Sequence, residues 1–328
     1  MRTTLPSMRA AFYEQRGDSG VLQIDEIATP GPGVGEVRVR LAVAAVNPTD
    51  WKMRSRGDDL PAPQIPGMDG AGVVEAVGPG VDIGRIGERV WIYHAGYQRR
   101  WGTAAQFTVV PARQAVHLPD GVELDQAAAL GIPYITAYGC LLCDGPIEGQ
   151  TVLIHGGAGA VGHAAIQLAR RAGAHVITTV SSSAKGELAI AAGAHVVIDY
   201  TAPDATEAVR RAAPAGVDRI IEVALTRNID MDLEVLAPHG VIVTYAADND
   251  DPTIPVRALM TNNVTLRFAM VYGFAPALIA AAVAEITAAL ASGELQPLPF
   301  IRFPLEETAA AHDAVEGRVA AKVLIDIP

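Results

Sequence analysis

The strongest chemical signal in the chain is His155-Gly156-Gly157-Ala158-Gly159-Ala160-Val161-Gly162. Gly157, Gly159 and Gly162 stand as G-x-G-x-x-G. In that spacing the first glycine permits a tight turn and the second lets backbone approach a diphosphate. The third lets a helix pack closely on a strand. Ala158, Ala160 and Val161 complete the loop. The N–H groups at the start of the following helix offer a positive end to phosphates. Context lifts such a fingerprint above chance. The apolar run Thr151-Val152-Leu153-Ile154 precedes it, and Ala164–Ala172 follows with apolar residues at helical spacing. Strand, glycine turn and helix together imply a dinucleotide site.

A second cluster bears on which dinucleotide. Sites that prefer NAD carry an acid about twenty residues beyond the glycines, bonded to the ribose 2′-OH. Here that region reads Val180-Ser181-Ser182-Ser183-Ala184-Lys185, with no acid before Glu187. A carboxylate would repel a 2′-phosphate, whereas the hydroxyls of Ser181 and Ser182 and the ammonium of Lys185 would hold one. The expected cofactor is NADPH.

Alternating strands and helices must position these groups. Candidate strands are His175–Val180, His195–Asp199, Val217–Val223, Val241–Ala246 and Val264–Met270. Helical patterns at Ala184–Ala192, Asp204–Ala213 and Ile229–Leu236 lie between them. This order predicts an α/β domain with a doubly wound parallel sheet. Upstream the pattern differs. Arg9–Tyr13, Leu22–Ile27, Glu36–Val43, Gly70–Gly78, Arg89–Tyr93 and Ala104–Pro111 read as short strands with turn residues between them. They predict a barrel-like β domain from Met8 to Asp125. Leu124–Leu142 is helical in composition, with Pro133 marking a boundary. Downstream lie an alanine-rich helix at Ala275–Ser292, strands at Phe300–Phe303 and Lys322–Ile327, and a helix at Leu305–Glu316. Residues before Met8 carry no pattern.

The 328 residues allow about two domains. Half are hydrophobic and 19% are charged, a globular composition. A net charge of −11 disfavours a nucleic-acid partner. Cys140 and Cys143 form a C-x-x-C pair inside an apolar helical stretch, with no second pair to complete a zinc site. Buried small side chains are the simpler reading. Met1–Ser7 lacks the apolar core of a signal peptide. The apolar stretch Ala127–Cys143 is broken by Gly131 and Pro133 and is short for a membrane span. A soluble cytoplasmic protein without a membrane partner is expected.

Read in order, the residues resemble the medium-chain dehydrogenase/reductase superfamily, in its zinc-free quinone oxidoreductase (zeta-crystallin-like) branch. The resemblance rests on Val46-Asn47-Pro48-Thr49-Asp50, Pro66-Gly67-Met68-Asp69-Gly70-Ala71-Gly72-Val73-Val74, Gly87-Glu88-Arg89-Val90, the glycine loop and Gly317-Arg318. It implies a GroES-like β-barrel substrate domain formed by residues 8–125 and 271–328, and a Rossmann NADPH-binding domain at 126–270. It also implies hydride transfer in the cleft, and a homodimer. Zinc-dependent relatives have cysteine at Asn47 and Gly-His-Glu at Gly67-Met68-Asp69. The loss of thiolate and imidazole implies no metal, and leaves Asp69 as a surface or loop carboxylate.

The resemblance extends the list of cofactor residues. Tyr200 and Arg318 match positions at the cofactor's phosphate, and Thr136 one near the diphosphate. Asn47, Tyr245, Phe268 and Met270 fall where relatives line the nicotinamide pocket, although strand core serves almost as well for the last two. For catalysis, Asn47 is a candidate donor to a developing oxyanion. Asp50 and Lys52 are candidate polar helpers, with a turn or cap role for Asp50 equally open. The loop Tyr93–Gly102 is expected at the cleft rim or as a plain solvent loop.

The implied reaction is NADPH-dependent reduction of a quinone. Its product anion has a proton affinity like that of tyrosine, about 10 in pKa, so no placed acid is required. The alternative within enzymes is reduction of an enone, a 2-alkenal or an enoyl thioester, where carbon must be protonated and a placed acid helps. The expected tyrosine after the Asn-Pro-x-Asp stretch is absent, since none occurs until Tyr93. A third reading, of a different class, is a non-catalytic NADPH-binding sensor. The apolar strand 264–270 is the expected edge for a two-fold homodimer.

Overall fold

The computed structural model describes residues 6–57, 62–247 and 251–328, so most of the patternless N-terminal segment lies outside it. The chain divides into two compact units. One runs up to Ile132 and resumes at Pro299; the other is Pro133–Leu298.

The first unit opens with the hairpin β1 (Ser7–Phe12) and β2 (Gln23–Ala28). Then come β3 (Glu36–Val46), α1 (Pro48–Ser55), β4 (Asp69–Val77), β5 (Arg89–Ile92), β6 (Phe107–Pro111), β7 (Ala115–His117) and α2 (Leu124–Ala128). β3 is the organising strand. One edge pairs with β4, while its other edge serves β6 through Glu36–Arg40 and the returning chain through Val43–Val46. Charged and apolar residues alternate along its first half, so Val37, Val39 and Leu41 enter the core with Met8, Val74 and Val90.

The second unit is a layered α/β structure. Its elements are α3 (Gly131–Leu142), β8 (Thr151–His155), α4 (Ala160–Arg171), β9 (His175–Val180), α5 (Ser183–Ala191), β10 (Val196–Asp199), α6 (Ala205–Ala212) and β11 (Val217–Glu222). They continue with α7 (Leu225–Val235), β12 (Leu236–Thr244), α8 (Val256–Thr261), β13 (Thr265–Phe268) and α9 (Pro276–Ala291). The six-stranded sheet runs β10-β9-β8-β11-β12-β13 and every pair is parallel. The strand order reverses between β8 and β11, the crevice at which ligands bind in doubly wound sheets. The glycine loop leaves β8 at that point.

The chain then returns to the first unit as β14 (Phe300–Pro304), α10 (Thr308–Glu316) and β15 (Lys322–Asp326). β15 lies between β14 and β3.

Two expectations are corrected, and one element is new. The return to the first unit begins at 299 and not at 271. The reason is α9: Ala282, Ile286, Ala289 and Leu290 are buried, and Glu285 pairs with Arg171 of α4 inside the second unit. The edge strand is only Thr265–Phe268, with Phe268 69% and Met270 66% exposed, so neither is strand core. The segment after Asn47 is a helix, α1, which hydrophobic patterning does not reveal because its buried residues are Asp50 and Arg54.

Candidate functional site

In the second unit the loop 156–162 divides its tasks differently from the spacing rule. The left-handed turn is made by Gly156, with φ +71°. Gly157 is required for close approach, because a Cβ there would stand 2.2 Å from Thr178 Oγ1 of β9. At Gly162 a Cβ would stand 2.2 Å from the Gly156 carbonyl, so this glycine lets α4 close onto the turn. Gly159 has a different reason. It caps α4 with extended backbone, is exposed, and a Cβ there would meet nothing closer than 3.3 Å. The protein's own packing presses less on this position than on Gly157 or Gly162, and a diphosphate lying on the helix N-terminus would need the space. Ala158, Ala160 and Val161 fall between these glycines, at the turn and in the first turn of α4.

At the end of β9, Ser182 caps α5 and accepts the Lys185 N–H, while Lys185 Nζ lies 2.9 Å from Ser181 Oγ. Tyr200 follows β10, is half exposed, and donates its backbone N–H to the Val180 carbonyl beside Ser181. The neighbouring Asp199 turns its carboxylate to the Thr201 N–H and hydroxyl, which hold it below the usual range. The structure therefore brings Ser181, Ser182 and Lys185 together at the N-terminus of α5, with the Tyr200 backbone beside them. These residues and the glycine loop fit a dinucleotide with a 2′-phosphate. Thr136 is buried on α3. Tyr245 follows β12 and donates its N–H to the Glu222 carbonyl; burial pushes its phenol pKa up. Arg318 is an exposed residue of the first unit, with φ +59°.

Beneath the loop lies a cluster the spacing did not reveal. His155 ends β8 and is fully buried. Its Nε2 lies 2.9 Å from Asp232 Oδ1 and 3.5 Å from Glu222 Oε2, and its Nδ1 lies 3.0 Å from Thr179 Oγ1. Burial pushes Glu222 up to about 7. The only available signal was the histidine directly before the glycines.

In the first unit a second buried network occupies the Asn47 region. Asn47 is 1% exposed. Its Nδ2 donates to Asp69 Oδ2 at 2.7 Å and its Oδ1 accepts from Lys322 Nζ at 2.6 Å. Asp50 Oδ2 accepts the Asn47 N–H at 2.7 Å and so caps α1, the role left open for it above. Asp69 is a correction: it is 0% exposed, and its Oδ2 also accepts the Ile132 N–H. Desolvation raises Asp50 to about 7 and Asp69 to about 6, against the opposing pull of Lys322. Lys322 itself is driven down by burial. These residues do not fit zinc. A thioether at Met68 and an amide at Asn47 replace the soft ligands, and the ammonium of Lys322 is already the local cation.

Asp50 also lines a cavity of about 490 Å³ with Tyr13, Arg16, Met53, Gln64, Met68, Gln98, Arg99 and Arg100. The loop 93–102 thus contributes to a pocket wall and is not a plain solvent loop. Tyr13 comes from the end of β1, and burial together with Asp50 raises its phenol while Arg16 and Arg54 lower it. Lys52 is exposed over the Trp51 ring and does not line this cavity. Cys140 is buried, with its thiol pushed up to about 12.

Residues 33–120 match the family model of the alcohol dehydrogenase GroES-like domain, and 160–288 match that of the zinc-binding dehydrogenases. The quinone oxidoreductase of Sus scrofa is 31% identical over 333 residues, covering 99% of each chain. A mycobacterial structure complexed with NADPH aligns with a TM-score of 0.85 at 30% identity, over 98% of this chain and 100% of that one. An NAD-dependent alcohol dehydrogenase aligns with a TM-score of 0.89 at 29% identity, over the same shares.

Proposed function

The chain belongs to the medium-chain dehydrogenase/reductase superfamily, in its quinone oxidoreductase branch, and is an oxidoreductase; from that premise we propose that it reduces a quinone with NADPH and without zinc. One of the solved neighbours is complexed with NADPH and the other is NAD-dependent. The choice between dinucleotides therefore rests on this chain's own residues. The observation that carries it is the Lys185 ammonium 2.9 Å from Ser181 Oγ, at a helix N-terminus whose neighbour Asp199 turns its carboxylate to Thr201 instead. A 2′-phosphate would complete that arrangement with charge-assisted hydrogen bonds. Gly159 leaves room for the diphosphate against the first N–H groups of α4.

Bound NADPH supplies the hydride, from nicotinamide C4. The protein's part is binding, orientation and exclusion of water. A quinone needs no dedicated proton donor, because water protonates the released product.

A second reading has its own support. Asp50 and Tyr13 share the first unit's cavity, and Asp50 titrates near neutrality. Such a carboxyl is partly protonated at pH 7 and can deliver a proton, as protonation of an enone carbon requires.

For the assembly we favour a homodimer through β13. Among the described residues this strand pairs only with β12, and Phe268, Met270, Met260 and Val256 expose apolar side chains near it. No helix among the described residues is long and apolar enough to cross a membrane.

The deciding experiment follows NADPH and NADH oxidation with a panel of quinones, enones and 2-alkenals. Turnover of quinones with NADPH supports the reading. Tight NADPH binding without turnover across the panel would support a sensor instead.

A further inference from the structure

His155, Glu222 and Asp232 sit on three different elements, yet their ligand atoms all lie within 4.8 Å of one another and all three are buried. The His155 Nε2 to Asp232 Oδ1 separation of 2.9 Å is that of an ordinary N–H···O hydrogen bond. Ionised, the cluster would hold two carboxylates. No lysine or arginine ion pair reaches either of them among the described residues. Asn228 Nδ2 donates to Glu222 at 3.1 Å, and the Ala224 N–H also reaches Glu222 Oε1. Asp232 Oδ2 meets no fixed donor, and the Asp232 and Glu222 carboxyls hydrogen-bond to each other when one of them is protonated. The remaining group beside Glu222 is the Tyr245 phenol, itself held protonated by burial. A proton can offset this charge.

The cluster is wired to the loop. His155 Nδ1 bonds Thr179 Oγ1, and that oxygen accepts the Gly156 N–H at 3.4 Å. The Thr179 carbonyl accepts the Gly157 N–H at 3.1 Å. The imidazole thus sets the rotamer of the threonine that holds the turn.

We propose that His155, Glu222 and Asp232 form a buried proton-holding site beneath the dinucleotide loop, and that binding of a dinucleotide draws a proton into it. The inference rests on the loop being the dinucleotide site, as proposed above. A diphosphate adds negative charge at the N-terminus of α4, next to a poorly solvated anionic cluster. Repulsion falls when the cluster takes up a proton, so by linkage the bound state binds more protons than the free one. His155 is a positioning residue here and does not touch the reacting atoms. Burial and the mutual repulsion with Asp232 raise Glu222 to about 7, while Asp232 and Glu222 raise His155 against its own desolvation. The window for uptake is therefore near neutrality.

The test is calorimetric binding of ADP-ribose, whose diphosphate does not titrate there, in two buffers of different ionisation enthalpy between pH 6 and 8. The intact protein is expected to take up a fraction of a proton on binding. Its affinity should fall as pH rises, by up to about tenfold per unit. Glu222→Gln keeps the shape and removes one titrating carboxyl of the cluster. It should bind with clearly less uptake and a flatter profile, and Asp232→Asn serves if that variant melts early. In the unaltered protein the His155 ring nitrogen shifts should move toward the protonated form when ligand is added. Binding without uptake, or the same pH profile in Glu222→Gln, overturns the inference. No binding at any pH overturns the dinucleotide reading, and the inference falls with it.

Discussion

The ammonium of Lys322 donates to Oδ1 of Asn47 at 2.6 Å, joining residues separated by 275 positions. It thereby brings a cation to two buried carboxylates, Asp50 and Asp69, that would otherwise have only dipoles to face. One ammonium cannot neutralise both. The network retains net negative charge when both carboxyls ionise, and this sets its response to pH.

Stability should fall as pH rises through 6 to 7. Asp50 and Asp69 have folded pKa values raised to about 7 and about 6, above their ordinary 3.8. A raised folded pKa contributes stability that is fully present below the unfolded value and lost as pH passes the folded one. Urea midpoints between pH 5 and 8 should show this loss, and Asp50→Asn should flatten its upper part. A midpoint that climbs across that range would contradict the assignment.

Lys322→Met should destabilise the protein by about 3–5 kcal/mol at pH 7.5, since it leaves buried carboxylates unpaired. The penalty should shrink below pH 6, where they protonate. Elemental analysis should find no stoichiometric zinc in the unaltered protein, and chelators should leave its activity intact.

Lys185→Ala should weaken NADPH binding by about 1.5–3 kcal/mol, the worth of a hydrogen bond to a charged group, and barely change NADH. Equal losses for both cofactors would remove the 2′-phosphate contact.

The two glycines of the loop should respond differently to alanine. Gly162→Ala drives a Cβ to 2.2 Å from the Gly156 carbonyl and should cost about 1–3 kcal/mol of stability. In an ordinary helix the same change would stabilise. Gly159→Ala should leave stability within about 0.5 kcal/mol but reduce dinucleotide affinity. Melting curves and fluorescence titrations separate the two effects.

Quinone and enone reduction should diverge with pH. Quinone turnover should change little across pH 6 to 9 and fall only modestly in Asp50→Asn. Enone turnover, where present, should drop as Asp50 loses its proton near pH 7, and Asp50→Asn should abolish that step. A pH profile for each acceptor, in both proteins, decides which chemistry uses the carboxyl.

The second unit was legible because buried parallel strands read as apolar runs between amphipathic helices. His175–Val180 was placed to the residue. The glycine loop was legible for the same reason, although its left-handed turn falls one residue earlier than the spacing implied. What stayed hidden was set by long-range contact. α1 buries Asp50 and Arg54, which hydrophobic patterning assigns to solvent. Asp69 reads as a loop carboxylate until Asn47 and Ile132 close over it. A tyrosine was sought just after Asn47, whereas Tyr13 reaches the cavity from the opening hairpin. His155, Glu222 and Asp232 share no spacing, and it is the sheet order and the packing of α7 that make them neighbours.

β15, which carries Lys322, inserts between β14 and β3. During synthesis the ribosome makes β3 and the carboxylates of Asp50 and Asp69 long before it makes that strand. The whole second unit, Pro133–Leu298, emerges in between as an uninterrupted segment. The nascent first unit therefore waits with an open sheet edge and two uncompensated acids, while its successor can complete itself. Domains that fold as units usually finish in order from the N-terminus. Here that order should be reversed, with the first-made unit the last to close.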